Sequence, residues 1–128
     1  MRQYSWYAYA KIVIYKKKGS KKMQEDVIFR EGNRTLTAEI CCEIDHHTAR
    51  RMREVIDKEL FIRRPEILTL DFSSVGFMDS SGMGLVLGRC AVAEQIGCSV
   101  RLVGLSERLL RLVRLCGVER IKNLSVME

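Results

Sequence analysis

Asp79, Ser80 and Ser81 place a carboxylate beside two hydroxyls in the stretch Met78-Asp79-Ser80-Ser81-Gly82. Asp45, His46 and His47 place a second carboxylate beside two imidazoles. Serine, histidine and aspartate are the residue types of a hydrolase triad, but the spacing does not support one. The local pattern is D-S-S-G rather than the G-x-S-x-G of a nucleophile elbow. Adjacent histidines just after a strand suit the capping or lining of a loop, and they do not form the H-x-x-x-H pair of a zinc helix. Ser80–Gly84, S-S-G-M-G, lacks the lysine of a phosphate-binding loop. No catalytic residue, metal ligand set or cofactor is assigned.

What remains is the hydroxyl of Ser80 as an acceptor for phosphate. A helix opens with unpaired N–H groups and a partial positive charge, and a serine there is ordinarily only a cap. Three features point further. Ser80 and Ser81 are redundant as caps. Gly82 and Gly84, early in a helix, cost about 1 kcal/mol each relative to alanine, and they leave backbone open to a partner. Met83 and Leu85 are not expected to face one core together, which leaves apolar surface exposed. A phosphate on Ser80 adds about −1.5 to −2 charge where N–H donors and the helix dipole favour it. It is expected to act at the surface without unfolding the domain. Like charges forced together at an interface cost several kcal/mol, and a hundredfold loss of affinity needs only about 2.7 kcal/mol.

The elements that must hold this turn are legible on either side of it. Leu68–Arg89 reads as a buried strand, a polar turn and the opening of an apolar helix. Val27–Glu31 and Arg34–Ile40 read as a hairpin around Gly32-Asn33, with Leu36, Ala38 and Ile40 on one apolar face. Asp45 and Thr48 are N-cap candidates for a helix over about 48–60. That helix carries Ala49, Met52, Val55 and Ile56 inward and Arg50, Arg51, Arg53 and Asp57 outward, and Pro65 ends it. Ile67–Phe72 is nearly continuously apolar, as for a strand covered on both faces. A helix over about 81–95 follows, with Met83, Val86, Leu87 and Cys90 on one stripe and Gly97 past its end. Next come a strand over Cys98–Val103 and a helix capped by Ser106. In that helix Leu109, Leu112, Val113 and Cys116 face inward, with Arg108, Arg111 and Arg114 opposite. A last strand spans about 120–124. The order β-β-α-β-α-β-α-β implies an α/β domain with a mixed, mostly parallel sheet packed with helices.

The chain has 128 residues, one domain by length, and its 47% hydrophobic content is that of a globular protein. The net charge of +6 is local. Residues 1–22 hold seven basic residues and no acid, leaving 15 basic and 16 acidic residues in 23–128. A near-neutral body argues against nucleic acid as a partner. The four tyrosines and the tryptophan also fall before residue 23. Residues 1–22 are therefore set apart from a domain over 23–128. They read as a basic arm for a membrane or nucleic acid, as an extra strand over Ala8–Tyr15, or, the favoured reading, as a disordered extension or sequence upstream of a native start at Met23. Five cysteines, an odd count with no C-x-x-C pair, argue against a disulfide framework or a zinc site and for reduced core thiols. No apolar run is long enough to span a bilayer and no signal peptide is evident, so a cytoplasmic location, with no membrane partner, is expected.

Asp71–Arg89, DFSSVGFMDSSGMGLVLGR, closely resembles the signature of the anti-sigma factor antagonists of the STAS-domain superfamily. Glu43–Ala49, EIDHHTA, resembles the second signature of the sporulation branch, the anti-sigma F factor antagonists, and Leu112–Ile121, LVRLCGVERI, also fits. The resemblance spans about residues 25–124. It implies a single STAS-type domain without catalysis of its own, which in its unphosphorylated form binds an anti-sigma factor that is also a serine kinase and so frees the sigma factor. It implies that this kinase phosphorylates Ser80 and that a serine phosphatase reverses the step. Asp45 matches a position that contacts the kinase. Ser81, Gly82, Met83 and Gly84 match the docking helix, and Asp79 of the D-S-S-G turn is grouped with them as partner-binding. Cys42 stands where the family often has glycine. An antagonist of a general-stress pathway and a scaffold module in a stress-signalling assembly are the alternatives. A protein starting at Met23 contains neither Tyr nor Trp. Natively expressed protein is then expected to show almost no absorbance at 280 nm, and clear absorbance would contradict that start.

Overall fold

Period-two alternation in the strands and broad apolar faces on the helices resolve into one sheet with its core on a single side. The structure, a computed structural model, describes residues 11–16 and 25–128. Its strands are β1 (Lys11–Lys16), β2 (Glu25–Glu31), β3 (Thr35–Ile40), β4 (Ile67–Asp71), β5 (Ser99–Val103) and β6 (Leu124–Val126). Its helices are α1 (His46–Arg63), α2 (Ser80–Gln95) and α3 (Glu107–Leu115), with a 3-10 turn at Val118–Arg120. The strands lie in space in their chain order. β1, β2 and β3 pair antiparallel, and β3 to β6 pair parallel. The expected order therefore describes residues 25–126, and β1 adds a sixth strand at the edge. Lys11–Lys16, set aside with the extension in the sequence reading, pairs with β2 instead. This is the extra-strand alternative in part; residues 1–10 and 17–24 lie outside the described residues.

Parallel crossovers are almost always right-handed, so crossovers that step one way along a sheet put their helices on the same face. The burial follows this rule. Phe29 lies opposite Ala38, in register with Leu70 and Leu102, and all four are buried. On the other face Thr37, Thr69 and Arg101 are in register and only half-buried. β4 is thus not covered on both faces: Leu68 and Leu70 are fully buried, while Ile67, Thr69 and Asp71 are not.

Ion pairs fix α1 to its neighbours. Arg51 Nε lies 3.0 Å from Asp26 Oδ2, and Arg63 bridges Glu31 at 2.7 Å and Glu59 at 2.6 Å. Asp57 lies 2.8 Å from Arg89 of α2. Arg51 and Asp57 were expected to point outward; they are half-buried because each meets a partner on the adjacent element. Burial pushes the Arg89 guanidinium down and the Asp57 carboxyl up, each partly countered by the other's charge. The pair therefore locates α2 on α1 more than it stabilises the fold, as is usual for ions taken out of water.

Several boundaries differ from expectation for local reasons. The β2–β3 turn has three residues, and its left-handed position is Arg34 (φ 62°), not a glycine. α1 runs from His46 to Arg63, stopped by Arg64 in the left-handed region (φ 48°) before Pro65. β6 begins only at Leu124, because Gly117 (φ 73°) turns the chain so that Val118 enters the core through the 3-10 turn. Cys90 and Cys98 are core thiols, and burial pushes Cys90 up to about 11. Cys116 is exposed, against expectation, since α3 ends at Leu115. Cys41 and Cys42 lie past the end of β3, half-buried.

Candidate functional site

Both signature segments are built the same way: a buried apolar residue, then an aspartate that caps a helix. Ile44 and Met78 form a parallel bridge and are both buried. Ile44 N–H donates to Phe77 O at 3.1 Å, and Asp79 N–H donates to Ile44 O at 3.1 Å. The next residues, Asp45 and Asp79, are the N-caps of α1 and α2. The bridge therefore sets the starts of the two helices side by side.

Asp45 is exposed, and its Oδ1 accepts from His47 N–H and Thr48 N–H, both at 2.9 Å. Thr48 Oγ1 accepts from Asp45 N–H at 2.9 Å and donates to Glu43 O at 3.0 Å. Both N-cap candidates therefore act together in one capping box. The Thr48 N–H, with a smaller share from His47, holds the Asp45 carboxyl below its ordinary range, so the cap is intact at neutral pH. Cys42 has no positive φ, so this path into the loop does not require the glycine common in the family.

At α2 the cap is Asp79, whose Oδ1 accepts from Ser81 N–H at 2.7 Å. Neither serine caps the helix, contrary to the sequence reading: the bridge holds Asp79 in extended backbone (φ −95°, ψ −166°), which leaves Ser80 as the first helical residue. Ser80 is exposed and Ser81 half-buried. The glycines differ. A Cβ on Gly82 would lie 2.6 Å from Met78 Sδ and 3.0 Å from Met78 Cβ, so this glycine admits the bridge residue. A Cβ on Gly84 would meet nothing within 4 Å, and Gly84 is exposed. Met83 and Leu85, expected on different faces, are both 4% exposed. α2 packs against α1 and β5 at once, so more than one stripe is covered. Around this turn and helix the exposed large apolar groups are instead Phe77, 45% exposed just before the bridge, and Leu87, 38% exposed and expected inside.

The accessible strip thus consists of Phe77, Ser80, Gly84 and Leu87, with Asp45 across the bridge. Gly82 and Met83 lie beneath it and shape it, and Asp79 caps it. Between the first turns of α1 and α2 runs a groove of about 360 Å³, walled by His46, Arg50 and Arg53 on one side and by Ser81 and Gly84 on the other. The sequence reading passed over Phe77, Arg50 and Arg53 as site residues. The only available signal for the arginines was their three-residue spacing at the start of α1, which also fits a solvated face.

The fold and this pair of capped loops define a class. The family described as STAS domain matches residues 27–126, and the chain belongs to it. Its relatives in sequence include anti-sigma factor antagonists. The anti-sigma F factor antagonist of Paenibacillus polymyxa is 33% identical over 79 residues, covering 62% of this chain and 68% of that protein. The anti-sigma-B factor antagonist of Listeria monocytogenes is 31% identical over 86 residues, covering 67% and 75%. The anti-sigma factor antagonist SpoIIAA in its unphosphorylated form superposes with a TM-score of 0.63 at 25% identity, over 80% of this chain and 87% of that one. Bacillus SpoIIAA in the phosphorylated form gives 0.62 at 25% identity, over 80% and 91%.

The two glycines should separate in a stability measurement. Gly82→Ala is expected to cost about 1–3 kcal/mol, the range for overpacking a filled site. Gly84→Ala should stabilise by up to about 1 kcal/mol through helix propensity. Urea unfolding of both variants checks this, and a Gly82→Ala protein as stable as the parent would contradict the packing assigned to Met78.

Proposed function

We propose that the unphosphorylated chain binds an anti-sigma factor that is itself a serine kinase, and so frees a sigma factor. That kinase phosphorylates Ser80, the phosphate ends binding, and a serine phosphatase restores it. The protein is a cytoplasmic regulator rather than an enzyme, and it works without cofactor, nucleic acid or membrane. The observation that carries this reading is the position of Ser80: exposed on the first turn of α2, in a helix whose cap is already supplied by Asp79. Among the described residues its hydroxyl makes no hydrogen bond. A phosphate there faces helix N–H donors and is compatible with the folded domain. SpoIIAA, similar in fold and known in unphosphorylated and phosphorylated forms, supports the same reading. Asp45, Ser81 and Gly84 border the same surface. Among the described residues no helix is long and apolar enough to cross a membrane.

Glu43–Ala49 favours the sporulation branch. Similarity to an anti-sigma-B factor antagonist favours a general-stress pathway as the second reading. The kinase and sigma factor encoded beside the gene would distinguish them. A scaffold role in a stress-signalling assembly is what remains if Ser80 is no switch.

The test is phosphorylation by the cognate kinase with ATP, read by intact mass and fragment sequencing, together with binding of two variants. One phosphate on Ser80 is expected. Ser80→Ala should bind like the parent, and Ser80→Asp should bind roughly a hundredfold more weakly, a loss of about 2.7 kcal/mol. Phosphate on another residue, or equal binding by both variants, would contradict the switch.

A further inference from the structure

The groove between α1 and α2 carries two cations that stand in no ion pair among the described residues. Arg30, Arg34, Arg51, Arg63, Arg89 and Arg114 each lie in an ion pair with a carboxylate. Arg50 and Arg53 form none among the described residues, and both are exposed along the groove. No carboxylate lines it. Asp45 and Asp79 hold helix N–H groups at its head, and Asp57 pairs with Arg89 while also feeling the charge of Arg53. The opposite wall is Gly84, which has open space where a side chain would stand. The first turns of both helices add partial positive charge at the same end.

We infer that this groove receives an acidic segment of the partner, with carboxylate side chains seated between Arg50 and Arg53 and the bare wall at Gly84. The inference rests on the proposed function and names the chemistry by which the kinase docks. It also gives the switch its sign. Ser80 precedes Gly84 by four residues, so both lie on one stripe of α2. A phosphate on Ser80 brings about −1.5 to −2 charge to the mouth of the groove. There it competes for the two arginines and repels the incoming carboxylates. Phosphorylation and docking thus draw on the same cations and exclude each other.

The experiment measures binding to the cognate kinase at low and at high salt for the full chain and for three double variants. Because both side chains are exposed, Arg50→Ala with Arg53→Ala should keep the parent's urea midpoint, which is checked first. This variant is expected to bind roughly tenfold more weakly, chiefly through slower association, and to lose much of the parent's salt dependence. Arg50→Glu with Arg53→Glu should bind as poorly as the Ser80-phosphorylated chain. Arg108→Ala with Arg111→Ala, on α3, should bind like the parent. Parental affinity and salt dependence in both Arg50/Arg53 variants, while phosphate on Ser80 still blocks binding, would overturn the groove and leave the switch standing. An equal loss from the α3 pair would also overturn it, as a general effect of net charge. No binding by the parent chain at all would overturn the functional reading, and this inference with it.

Discussion

Two backbone hydrogen bonds across the Ile44–Met78 bridge hold together the parts on which everything else at the site depends. Each bridged residue is buried and is followed at once by a capping aspartate. The apolar residue anchors the loop in the core, and the aspartate then opens a helix from a fixed point. The bridge thereby joins the two capped first turns at the point where the chain enters each helix. The groove, the exposed Ser80 and the Asp45 loop exist as one surface because both loops leave the sheet at the same place.

The rest of the domain maintains that alignment. α2 is held on α1 by the Arg89–Asp57 pair and by the close approach that Gly82 allows at Met78. Its apolar residues, Met83 and Leu85 among them, are spent on the core. What is left facing outward is a strip of small residues between Phe77 and Leu87. Such a surface is cheap to expose and open to a partner. Under the proposed function, a phosphate on the exposed Ser80 acts on binding rather than on the fold.

Much of this was legible in the sequence. Alternation in Thr35–Ile40 gave the buried face of β3 correctly, and Pro65, Gly97 and Gly117 marked helix ends. Ser80 stood out because its neighbours were costly for a helix unless something required them. The misses share a cause. Periodicity reports which residues share a face but not how many neighbours a helix will have. It therefore divided Met83 from Leu85 and put Leu87 inside, although α2 is covered by both α1 and the sheet. Choosing the cap among Asp79, Ser80 and Ser81 was equally out of reach, because a long-range contact, Met78 with Ile44, decides the backbone angle at Asp79. The three-residue turn ending at Arg34 overrode Gly32-Asn33 because the register of β2 on β3 set its length. The groove was invisible for the same reason: its walls lie about thirty residues apart and are brought together by long-range contacts, the bridge among them.

The central claim is that a phosphate on Ser80 changes a surface and leaves the fold intact. Amide hydrogen exchange and two-dimensional amide spectra of the unphosphorylated and Ser80-phosphorylated chain test it most directly. Spectral changes should be confined to the loop before α2, its first turns and the facing turn of α1. Protection should be unchanged in β3, β4 and β5 and at the Ile44–Met78 bridge. Loss of protection through α2, or release of the bridge on phosphorylation, would contradict it and make the switch one of local unfolding.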